Sequence, residues 1–170
     1  MRTILIFPTI PPTVSATIYQ IRQQYDPLAP HIRPHLSLVF PFESSLSDAQ
    51  LTRLIRAMVA KLSPFELTLD HLGTDHHGYF WLRVTTGNLL LTQLHDQLYA
   101  DANLAPFLRS DLPYHPHLTL GHVAPTAVPA ILARLAPLPL KFTTTVTTIS
   151  AEHILANGDS DEVIRVILTQ

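Results

Sequence analysis

Thr3 to Phe7 form a β-branched, apolar run closed by Pro8, the pattern of a short strand. After Pro11-Pro12 the chain predicts a helix to about Tyr25, ended by Asp26-Pro27. A proline-rich loop (27–34) leads into a strand from His35 to Phe40. Ser47 and Gln50 have the spacing of a capping box, in which side-chain oxygens satisfy the free amides of a helix start. Leu51, Leu54, Ile55, Met58, Val59 and Leu62 follow at helical intervals as one apolar stripe. Pro64 stops that helix, and residues 65–72 read as the next strand.

Asp75-His76-His77-Gly78 has turn chemistry, and residues 79–85 alternate as a strand. Asn88 is placed to cap a helix carrying Leu91, Leu94 and Leu98. A loop with Pro106 and Pro113 precedes a strand over 117–123, and a short helix falls between Pro125 and Pro137. Two strands, around 140–154 and 162–168, finish the chain. The first half thus reads strand, helix, strand, helix, strand, and the second repeats this with one strand added. The second strand of each half opens on nearly the same pentapeptide, Pro34-His35-Leu36-Ser37-Leu38 and Pro116-His117-Leu118-Thr119-Leu120. Two such matches in equivalent places mark an internal repeat. The expectation is one domain, 1–170, of pseudo-symmetric halves meeting near 73–78, about 1–75 and 76–170.

Composition narrows the classes of function. Hydrophobic residues make up 46% of the 170 and charged ones 14%, so a sizeable core can be buried and disorder is not expected. A net charge of −2 with eleven Lys+Arg argues against a broad footprint on duplex DNA, while a small nucleotide or one RNA end needs few donors. With no cysteine there is neither a thiolate metal site nor a Cys nucleophile, which fits a reducing compartment. No apolar run approaches the roughly 18 residues of a membrane span, and the N-terminus does not read as a signal peptide. A cytoplasmic monomer without membrane partner or cofactor is expected.

In a strand, residues i and i+2 share a face. His35 and Ser37 therefore project together, as do His117 and Thr119, while Leu36, Leu38, Leu118 and Leu120 point into a core. Each motif offers an imidazole that titrates near neutral pH beside a hydroxyl donor. Two such pairs facing one another suit in-line displacement at phosphorus. One histidine takes a proton from the attacking water or hydroxyl and the other protonates the departing oxygen. The hydroxyls bond the non-bridging oxygens as charge develops there. No metal is required for this. His115-Pro116-His117, with His122 or His76-His77, is the competing metal-ligand pattern, but no carboxylate cluster accompanies it. On the strand 79–85, Phe80, Leu82 and Val84 alternate with Tyr79, Trp81 and Arg83. If the apolar set packs under helices, Tyr79 or Trp81 can stack on a base and Arg83 can contact phosphate. Tyr114 and Arg33, just before the motifs, are further candidates at the cleft rim.

On these residues the chain resembles the two-histidine (2H) phosphoesterase superfamily, defined by two His-x-Ser/Thr motifs. It is similar in particular to bacterial RNA 2′,3′-cyclic phosphodiesterases, also called 2′-5′ RNA ligases. The resemblance covers nearly the whole chain. It implies an α+β, bilobal fold, with two antiparallel sheets around a concave cleft and helices outside. It implies catalysis by His35 and His117, phosphate contacts from Ser37 and Thr119, and RNA 3′ ends or small cyclic nucleotides as substrates. His35 would protonate the leaving oxygen and His117 activate water. Where the family often has arginine after the second motif, this chain has His122, which is charged only at lower pH. A non-catalytic protein binding an RNA end or nucleotide in the same cleft is the alternative from another class.

Overall fold

The computed structural model describes residues 1–169. In chain order its elements are β1 (Arg2–Ile6), α1 (Pro12–Tyr25), β2 (Leu36–Phe42), α2 (Asp48–Val59), β3 (Phe65–Thr74) and β4 (Tyr79–Thr86). There follow α3 (Asn88–Tyr99), β5 (His117–His122), α4 (Val128–Leu135), β6 (Phe142–Val146), β7 (Thr148–Ile154) and β8 (Ser160–Ile167). The strands make two four-stranded antiparallel sheets, in the orders β2-β1-β7-β8 and β5-β4-β3-β6. This is the expected α+β fold.

The sheets do not follow the halves of the sequence. β3, from the first half, sits in the second sheet, paired with β4 across the turn at 75–78. β7 and β8, from the second half, complete the first sheet by pairing on β1. Helices cross over as well: α1 packs against β5 and α3 against β2, while α2 lies on β8 and α4 on β4. A single apolar core results, with Leu51, Ile55, Leu67, Phe80, Leu98 and Leu118 fully enclosed. Truncating Leu51 or Ile55 to alanine would cost about 2–5 kcal/mol.

Two local expectations are corrected. The stretch 140–154 is not one strand but two, β6 in the second sheet and β7 in the first. Burial alternates at 142, 144 and 146 and then becomes continuous over 149–152, while the apolar positions slip by one residue between Val146 and Ile149 as the chain moves to the other sheet. The N-cap of α3 is Gly87, in a left-handed conformation (φ 81°), and not Asn88, which is the first helical residue. The capping box of α2 forms as expected: the Gln50 amide donates to Ser47 Oγ and the Ser47 amide to Gln50 Oε1.

Candidate active site

β2 and β5 are the edge strands at which the two sheets meet. They carry the two repeated motifs, and the backbone treats them alike. His35 donates from Nδ1 to the carbonyl of Arg33 at 3.1 Å, and His117 from Nδ1 to the carbonyl of His115 at 2.5 Å. A carbonyl can only accept, so both rings carry a proton on Nδ1 and leave Nε2 free for chemistry. Both strands then bulge at the same place. Leu5 pairs with Ser37 and Ile4 with Val39, skipping Leu38; Trp81 pairs with Thr119 and Phe80 with Gly121, skipping Leu120. The bulge turns Leu120 and Gly121 both towards the core. There a Cβ on Gly121 would lie 2.5 Å from Phe80 Cζ and 2.6 Å from Tyr25 Cβ, so only glycine fits.

The bulge also decides where His122 goes. Simple alternation from His117 would send it to the core face. Instead it is exposed and stacked on Tyr79, with ring centroids 4.1 Å apart. Trp81 stacks on His117 at 4.5 Å and lies across Gly73, where a Cβ would come within 2.5 Å of its Nε1. Arg83 is exposed and in register with His117. Phe80, Leu82 and Val84 are buried, as the alternation requires. Tyr79, Trp81, Arg83 and His122 thus share the surface of His117 and Thr119.

Tyr114 is placed differently from the expectation of a ligand contact. Its hydroxyl donates to the carbonyl of Ser37 at 2.9 Å, and its ring stacks on buried His95 at 3.9 Å. Burial pushes its pKa up, keeping the phenol protonated. It ties the loop before the second motif to the strand of the first. His115 is exposed, and its backbone carbonyl is what meets His117. Among the described residues no three His, Cys, Asp or Glu side chains converge as metal ligands do.

Burial pushes His35 down to about 4, against the raising effect of its bond to Arg33. Among the smaller lowering causes are the charges of Arg22 and of His117, which places the two imidazoles within one another's field. Burial lowers His117 as well. Both rings are therefore neutral at pH 7, whereas an acid–base pair needs one of them charged. Arg22 and Asp26, paired at 2.8 Å and almost wholly buried at the end of α1, add opposing fields at His35. Only their i,i+4 spacing was visible in the sequence, and that is ordinary on any helix.

A surface hollow of about 360 Å³ lies between α2 and the loop after α3, lined by Gln50, Arg53 and Asn103 among others, and includes neither motif. The geometry of the paired motifs is the better guide to the chemistry.

A family model described as the 2′-5′ RNA ligase superfamily matches residues 10–152. The chain belongs to that superfamily. Among its relatives, "Putative phosphoesterase BH1439" of Halalkalibacterium halodurans is 29% identical over 124 residues, 69% of this chain and 67% of that protein. "Putative phosphoesterase GK0864" of Geobacillus kaustophilus is 25% identical over 159 residues, 91% and 88% of the two chains. The crystal structure of E. coli LigT complexed with 3′-AMP is similar over 99% of this chain and 98% of that one, with a TM-score of 0.66 and 25% identity. Membership of the 2′-5′ RNA ligase superfamily and the names of these relatives support a phosphoesterase-type function. No helix among the described residues is long and apolar enough to cross a membrane.

Proposed function

We propose that this protein opens 2′,3′-cyclic phosphates on RNA 3′ ends or small nucleotides, without a metal ion, using His35 and His117 as acid and base. The observation that carries this reading is the duplicated clamp on Nδ1, which presents two free Nε2 atoms from edge strands that touch. Water attacks phosphorus as His117 Nε2 takes its proton. The bond from phosphorus to the leaving ribose oxygen breaks, and His35 Nε2–H protonates that oxygen. Ser37 and Thr119 donate to the non-bridging oxygens. Because both rings are neutral at pH 7, the acid takes up its proton from solvent as the anionic substrate binds. The anionic phosphate raises both histidine pKa values and favours one imidazolium. The reverse step, 2′-5′ joining, would use the same groups with exchanged roles, and water favours hydrolysis.

The test incubates the protein with 2′,3′-cyclic nucleotides, with and without chelator, beside His35→Ala and His117→Ala. Turnover that survives chelator and disappears in both variants is the expected result, with a bell-shaped kcat/KM profile centred below pH 6.5. Chelator-sensitive turnover, or binding of cyclic nucleotide with no turnover, overturns it. The second outcome would identify a nucleotide-binding protein using the same cleft.

A further inference from the structure

The cleft face of the first sheet continues beyond the motif. Strand register sets Ser37, Leu5, Ser150 and Arg165 in one row across β2, β1, β7 and β8. At the far end of that row is a cavity of about 240 Å³, closed on its other side by Thr145, Thr147 and Thr148 where the chain passes between sheets. Two guanidiniums border it. Arg33 lies 3.6 Å over the Phe7 ring, and Phe7 meets His35 edge-on at 6.4 Å. Arg165 approaches from β8, largely exposed. Glu162, the only acidic group on the walls, accepts from Arg33 at 2.8 Å and from Ser150 at 2.6 Å, and lies 3.5 Å from Arg165. It holds the two arginines in place and leaves the pair with one net positive charge.

We propose that this cavity is a second phosphate subsite, which takes the backbone phosphate of the neighbouring nucleotide and makes an RNA strand, rather than a mononucleotide, the preferred substrate. The inference rests on the phosphodiesterase reading above and names the substrate class of the same cleft. Guanidinium forks and hydroxyl donors match phosphate oxygens. A base is a poorer fit, because the walls are polar and Arg33 covers the Phe7 ring that would otherwise stack. The separation is suitable too. Three strand spacings, about 14 Å, divide Ser37 from Arg165 along the row. One phosphate cannot span that distance, while a strand held by its first phosphate brings the next within reach of an extended arginine.

The experiment compares kcat/KM for a mononucleotide 2′,3′-cyclic phosphate with that for a dinucleotide ending in the same group, for the native protein, Arg165→Gln and Arg165→Lys. The expected result is a preference for the dinucleotide of at least about tenfold, expressed in KM, which Arg165→Gln cuts about tenfold and Arg165→Lys, keeping the charge without the fork, restores only in part. The dinucleotide's kcat/KM should also fall more steeply with salt, by about 0.7 in log–log slope for the one added contact, and lose that excess in Arg165→Gln. Equal values for the two substrates, or an Arg165→Gln loss shared by both, would overturn the proposal. Should neither be turned over, the reaction reading fails. Calorimetric binding of 3′-phosphorylated mono- and dinucleotides then decides the subsite alone, an equal affinity for both ruling it out.

Discussion

On the His35 side, the residues next to the motif along the sheet are Leu5, Ser150 and Arg165, with Glu162 and buried Glu152 behind them. On the His117 side they are Trp81 and Gly73, flanked by the Tyr79–His122 stack. The backbone of the two sides matches closely, down to the Nδ1 clamp and the skipped leucine. The surroundings differ, with Arg33, Arg165 and Glu162 grouped on one side and the Trp81–His117 and Tyr79–His122 stacks on the other. The two motifs thus share one backbone geometry, and on the proposed reading they differ in what would grip the rest of a ligand.

Removing one side's chemistry should show whether the equivalence is functional. His35→Ala and His117→Ala should each lower cyclic-nucleotide kcat by about 10²–10⁴, and by similar factors. A loss confined to one of them in single-turnover assays would break the symmetry. Ser37→Ala and Thr119→Ala come next, at about 10²-fold each, because each removes one donor to the charged oxygens. Gly121→Ala tests the packing difference, since the equivalent place in the other sheet holds a buried Val39. It should destabilise the fold by about 1–3 kcal/mol in urea melts, whereas Val39→Gly would leave a cavity instead of a clash.

The smallest effects concern pH, and the two kinds of group have opposite signs. His35 and His117 titrate below their ordinary 6.5 when folded, so the unfolded chain takes up protons first. Their contribution is complete above about pH 6.5 and is lost as pH falls towards 4. Glu152 is the reverse: burial first, and then the charge of Glu162, push it up from 4.5 to about 7. Its contribution is complete below pH 4.5 and is lost as pH rises through 7. Glu152→Gln should gain Tm relative to the native protein at pH 8, with less gain at pH 5. A Tm difference that does not vary with pH would show that Glu152 does not titrate in this range.

The repeated pentapeptide, the capping box of Ser47 and Gln50 and the alternation of residues 79–85 were legible because each is a local pattern with a fixed period. What was not legible depends on which strand lies beside which. Arg165 is opposite Ser150 only because β8 pairs with β7, and His122 returns to the surface only because Leu120 is skipped in pairing with β4. A ligand role for Tyr114 was a fair reading of its position, but its hydroxyl is held by a carbonyl 77 residues away. The switch of sheets at Thr147 left a trace, the slipped alternation between Val146 and Ile149, which a stricter count of the pattern would have caught.

The exchange of strands between sheets has a consequence for how the molecule comes into being. β1 is made well before its partner β7, which lies more than a hundred residues further along the chain. At about 5–20 residues per second, β1 would wait about 7–30 seconds with that edge unsatisfied. A nascent chain halted before β7 would hold both histidines while the edge of β1 opposite β2 stayed unpaired. Completion of the sheet that carries the first motif thus waits until β7 and β8 have been made.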